Sequence, residues 1–182
     1  MEARSRRSGR VDVDEEAEAI VDAIRSAFRG VARGAITLHE AEAIDDYGSD
    51  DERAAARERD TERGWEEIPD AHVEECVYAL AHVDPASWRY YVPRFMLWAL
   101  HHFRSSDSLI SDFTVYTFDP SDTDPNLREY DMARYRTLDA EQARVVCRFL
   151  RYMAQNDDHA DASAANEALR KYWGRFEGPS AA

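Results

Sequence analysis

Residues 90–103, YYVPRFMLWALHHF, constrain this chain more than any other stretch. Proline starts a helix readily but breaks one from inside, so the spacing predicts a helix from Pro93 to about residue 104. On it, Phe95, Met96, Leu97, Trp98, Leu100 and Phe103 point in nearly every direction. A helix that is apolar all round must be surrounded by lipid or by protein. This one is too short for a bilayer, which needs ~20 apolar residues, and it carries Arg94, His101 and His102. Protein must therefore wrap it. Each of the six large side chains contributes about 1.5–3 kcal/mol on burial, most of it offset by chain ordering.

The remaining periodicities supply the wrapping. Ile20, Val21, Ile24 and Phe28 share one face of a helix expected over about 14–28. Thr37 and Glu40 have the spacing of a capping box, which starts a second helix. The stretch from Ser49 to Gly64 holds Ala, Glu and Arg with no large apolar residue before Trp65, so it reads as a solvated helix with ion pairs such as Asp60 with Arg63. A helix is expected over 70–83, with Val73, Cys76, Val77 and Leu80 inward. Asp84-Pro85 looks like a cap with proline in the first turn, opening only a short helical turn. Asp139 and Gln142 cap a strongly amphipathic helix, and a last helix runs over about 163–173. Between them, residues 110–118 alternate in a way that predicts an irregular or short-strand segment, and DPSDTDPN reads as an exposed loop. The expected fold is mainly α: a single-domain bundle of about six helices around the central 93–104 helix. Residues 1–11 are expected to be a disordered basic tail, 12–175 the helical domain and 176–182 a frayed end.

Charge bears on partners. The formal net charge is −14 over 182 residues. The first ten residues hold four Arg and one Glu, a net of +3, so the rest carries −17. Such a body repels phosphates and anionic lipid, so no nucleic-acid partner is expected, and it favours encounter with a basic protein. Solubility alone also accounts for the charge. With no secretory leader and no spanning segment, the expected setting is cytoplasmic, without a membrane partner. Cys76 and Cys147 fit no metal-finger spacing and read as buried thiols of a reducing compartment.

Motifs for chemistry are scarce. The six histidines make no His-Glu-x-x-His pattern, and there is no Gly-x-Ser-x-Gly elbow or phosphate-cradling glycine loop. His72 and Glu75, three apart on one helix face, could begin a metal site, but no second such pair completes it. No catalytic residue is assigned, and neither a metal nor a cofactor is expected. The most distinctive cluster joins Arg57, Asp60 and Trp65 with Trp88, Tyr90, Tyr91 and Arg94. Trp, Tyr and Arg anchor interfaces, but they also form core edges with a buried ring and a wet polar tip. An ion pair of Asp60 with Arg57 or Arg94 would tie the solvated helix to the core.

The stretches ITLHEAEAIDDYG, AARERDTERGWEEIP, YYVPRFMLWAL and LDAEQARVVCRFLRYMA together resemble a family of small bacterial proteins of unknown function. The resemblance covers about residues 20–155, leaves out the basic tail and the final helix, and implies no activity. On class-level grounds, the chain reads as a non-catalytic protein-binding module of immunity-like or regulatory kind. The alternative is an enzyme, or a metal- or small-molecule-binding protein, with a pocket lined by the Trp/Tyr/Arg cluster.

Overall fold

The computed structural model describes residues 5–156 and 161–178, with side chains from Glu15 onward. The order of α-helices is α1 (Ser5–Ala27), α2 (Leu38–Asp45), α3 (Asp50–Arg57), α4 (Asp70–Glu75), α5 (Ala79–His82), α6 (Pro85–His102), α7 (Ile110–Tyr116), α8 (Pro125–Tyr135), α9 (Ala140–Ala154) and α10 (Ala162–Lys171). Short 3-10 turns lie at Trp65–Glu67 and Trp173–Phe176. The described residues are all-helical apart from turns and connections, with no strand among them. Residues 1–4 and the side chains up to Asp14, which hold the expected basic tail, lie outside the described residues, as do 179–182 of the expected frayed end.

The α6 helix is the axis. It packs against α1, α4, α5, α7, α8 and the turn at Trp65. From Tyr90 to Leu100 every one of its residues is buried. It is also longer than Pro93 suggests, because Asp84 caps it and Pro85 fills its first turn. Pro93 therefore sits inside, where it denies the Arg89 carbonyl its usual N–H donor at a cost of ~3 kcal/mol. Burial on all sides outweighs that penalty. The Asp84 carboxylate does more than cap: besides the N–H groups of Ala86 and Ser87, it accepts from Ala35 N at 3.1 Å and Ile36 N at 3.0 Å. The 28–37 loop is thus drawn onto the start of α6. Gly34 makes the approach possible, since a Cβ there would lie 2.3 Å from the Ser87 nitrogen.

Around this axis, α9 packs against α1 and α10, with the Asp139–Gln142 capping box in place. The Thr37–Glu40 box starts α2, and α3 buries no residue, as its composition requires. All four tryptophans are buried with the indole N–H donated: Trp65 to the Phe28 carbonyl, Trp88 to Thr117, Trp98 to Glu74 and Trp173 to the Phe118 carbonyl.

Residues 110–118 and 70–83 also depart from the sequence expectation. Residues 110–116 are helix α7, not a strand. Its buried positions Ile110, Ser111, Thr114 and Val115, followed by Phe118, follow helical spacing, and packing on α6 and α10 overrides the β preference of Thr, Val and Phe. The expected 70–83 helix is broken at Cys76 (φ −112°, ψ 53°) into α4 and α5.

Candidate functional site

Five side chains explain why α5, α7 and α8 enclose a cavity. Tyr78, at the break between α4 and α5, is turned outward, while Val77, Leu80 and Ala81 line the floor. Phe113 and Tyr116 come from successive turns of α7. Leu127 and Tyr130 come from α8, whose first residues fall in the DPSDTDPN stretch expected to be loop. Asp124 caps that helix through the N–H groups of Asn126 and Leu127, and Pro125 occupies its first turn. This is the same device that starts α6 at Asp84-Pro85.

The cavity encloses about 500 Å³, within the ~300–1,000 Å³ range of small-ligand sites. Its aromatic walls are stacked edge to face, Tyr78 on Phe113 at 4.6 Å and Phe113 on Tyr116 at 5.7 Å. Tyr130 is fixed by donating its hydroxyl to the Ala81 carbonyl at 2.7 Å, and the Arg134 guanidinium lies 3.9 Å from its ring centre. Arg134 is 3% exposed, and it donates to the Ala81 carbonyl at 2.9 Å and to the Tyr130 hydroxyl. Its charge is therefore spent on the wall.

Acidic groups ring the cavity. Asp45 pairs with His82 at 3.0 Å and Asp119 with Lys171 at 2.8 Å. Asp131, 8% exposed, accepts from the Ser121 N–H, and burial pushes its carboxyl above the ordinary range despite that bond and the nearby Arg134. Tyr116 donates to Asp161, which raises its phenol to about 12.

The residues singled out from sequence lie elsewhere. Trp65, Trp88, Tyr90 and Tyr91 are at most 2% exposed, Asp60 is 5% and Arg94 9%; only Arg57 among them has an exposed side chain. They are core and core edge, and they do not converge on one opening. The expected pairing of Asp60 with an arginine side chain is replaced. Arg57 and Arg53 bind the buried Glu40, and Arg94 takes the Ile68 carbonyl and Asp70. Asp60 turns inward to His39, accepting from its backbone N–H at 2.9 Å and lying 2.6 Å from its ring Nδ1. Burial raises the Asp60 carboxyl, but the bonds from His39 prevail and hold it below the ordinary range. Among the described residues, His39, Asp60 and His72 form a metal-competent cluster, with candidate ligand atoms within 4.8 Å of one another.

The cavity residues were missed because each is an ordinary surface tyrosine, leucine or aspartate in sequence. The available signal was the Asp-Pro cap at Asp124. The two cysteines are free and buried, as expected. No helix among the described residues is long and apolar enough to cross a membrane.

Comparison with known proteins places the chain by family alone. A family model described as a family of unknown function (DUF6714) matches residues 16–176, and the chain belongs to that family. No curated protein and no solved structure matches it.

Proposed function

We propose that this protein is a binding module whose α5–α7–α8 cavity receives a cationic side chain, with its apolar neighbour, from a basic protein partner. One observation carries the reading. Of the six large hydrophobic residues exposed among the described residues, Tyr78, Tyr116, Leu127 and Tyr130 all line this one cavity. Scattered exposed apolar residues need no explanation, but a cluster of them does. Aromatic faces attract an ammonium or guanidinium by about 0.5–2 kcal/mol. Asp131 adds a carboxylate whose burial is poorly compensated by the chain itself. The net charge of −14 steers a basic partner toward the protein and a nucleic acid away from it.

The test uses an acetylated, amidated Trp-Arg-Leu peptide and its Trp-Glu-Leu counterpart, titrated by calorimetry and by amide NMR. The arginine peptide is expected to bind with shifts confined to α5, α7 and α8, more weakly in high salt. Tyr116→Ala should weaken it at least several-fold. Equal binding of the glutamate peptide, or shifts mapping to another face, would refute the proposal. Binding of free tetramethylammonium with no gain from the peptide would show a small-molecule site instead.

A further inference from the structure

A second site stands apart from the cavity, where α2, α4 and the 58–64 connection meet. His39, on α2, is 3% exposed. Its orientation is fixed twice by one residue: Asp60 accepts from the backbone N–H at 2.9 Å and lies 2.6 Å from Nδ1. A carboxylate facing Nδ1 orients the ring and favours the tautomer that presents Nε2 as a lone pair. That Nε2 is buried and has no hydrogen-bond partner. A buried acceptor without a partner is costly, so something is expected to meet it.

Glu75 of α4 approaches this atom, and His72 of the same helix packs against the His39 ring. Glu75 Oε2 lies 3.4 Å from Nε2, outside hydrogen-bond geometry. The His72 ring meets the His39 ring edge to face, with centroids 4.6 Å apart. Ligands held 2.0–2.1 Å from a tetrahedral ion are about 3.3–3.4 Å apart, the separation already present between His39 and Glu75. His72 has a carboxylate near it, Glu62 Oε1 at 2.9 Å from its Nδ1, but the two are not aligned as a hydrogen bond. The carboxylate behind Nδ1 of His39 is the outer-shell pattern of histidines that ligate metal.

We propose that His39 Nε2, His72 and Glu75 hold a zinc-class divalent cation, with Asp60 as the positioning residue behind His39. Two imidazoles and one carboxylate suit zinc better than calcium or magnesium, which take oxygen ligands. Three protein ligands leave the fourth position of a tetrahedron open to water. Cys76, next to Glu75 in the chain, stays outside the set as a buried thiol. Arg59, which bonds the same Glu75 oxygen, has a half-exposed side chain and can yield it without unfolding anything.

The experiment titrates zinc into the full chain after chelator dialysis, in competition with a fluorescent chelator. Cobalt is used in parallel for its tetrahedral absorption band. One equivalent is expected to bind. His72→Gln and Glu75→Ala both alter residues that are not fully buried, so these variants should stay folded by circular dichroism. Each should weaken binding at least tenfold, and together they should abolish it. Asp60→Asn should weaken it about 10–100-fold, as loss of an outer-shell partner does. Absence of stoichiometric binding would overturn the proposal. So would unchanged affinity in the folded His72→Gln, Glu75→Ala double variant, which would assign the ion to other histidines.

Discussion

Trp65→Ala separates a core role for the Trp/Tyr/Arg cluster from a recognition role. The Trp65 ring is 2% exposed, and its indole N–H donates to the Phe28 carbonyl at 2.9 Å. Truncating a buried tryptophan to alanine costs about 3–5 kcal/mol, depending on how far the site collapses. At a urea slope of about 2 kcal/mol per M, the midpoint should fall by roughly 1.5–2.5 M with the slope unchanged. Trp65→Phe keeps most of the ring and removes the donor, so it should cost about 1–3 kcal/mol, chiefly from the unpaired carbonyl. Arg57→Ala is the contrast. That side chain is half exposed, and its partner Glu40 retains Arg53, so the variant's midpoint should stay close to wild type. Urea titrations of the three variants, followed by circular dichroism, measure the series. A Trp65→Ala protein with an unshifted midpoint would refute the core assignment. A folded Trp65→Ala protein that no longer bound the arginine peptide would move the binding site to this cluster.

Asp84→Ser should retain the cap on α6 but lose the reach to Ala35 and Ile36, whereas Asp84→Ala loses both; urea midpoints should rank wild type, Ser, Ala, with the cap alone worth about 0.5–2 kcal/mol. Burial raises the Asp84 carboxyl, but its bonds from Ser87, Ile36 and Ala86 hold it below the ordinary range. Its contribution is therefore complete above the unfolded value near 3.8 and lost as pH falls through the lower folded value, so acid titration of Asp84→Ser should show a shallower loss of stability than wild type. Asp131 has the opposite sign: its raised carboxyl makes the fold gain stability as pH falls through the folded value toward the unfolded one near 3.8. Asp131→Asn keeps an acceptor for Ser121, so at neutral pH thermal melting should be unchanged or higher while calorimetry shows weaker arginine-peptide binding; a variant that loses stability as well would make Asp131 structural. Asp124→Ala removes the cap of α8 and should cost about 1 kcal/mol, with line broadening of Leu127, Tyr130 and Asp131 amides in NMR.

The helical core was readable because its signals are local and redundant. Apolar residues on every side of 95–103 demand a protein surround whatever the neighbours are, and α6 has it. The Thr37–Glu40 and Asp139–Gln142 boxes each encode their own helix start within four residues, and both are in place. Local signals also misled where tertiary packing decides. Pro93 looked like a beginning because its penalty is local, whereas the burial that offsets it comes from six other elements. Residues 110–118 looked like a strand because Phe, Val and Thr fit a pleated surface, and no neighbour in sequence announces that α6 and α10 will cover them as a helix.

The two candidate sites fall where that logic predicts the greatest loss of information. Asp60 sits in a run so rich in Asp, Glu and Arg that any one carboxylate looks solvated. Its burial depends on His39, 21 positions away, and on the turn at Trp65 that closes the connection. The His72–Glu75 spacing was visible as half of a metal site, but its completion comes from another helix, which no spacing rule on α4 can supply. Likewise, the cavity takes its walls from α5, α7 and α8, of which α7 reads in sequence as an irregular or strand segment and the start of α8 as loop. A site assembled from short, separately capped helices leaves only its caps in the sequence. The Asp-Pro pairs at 84–85 and 124–125 are therefore the most informative dipeptides in the chain: each marks where a helix begins, and the second marks the wall on which the proposed partner would sit.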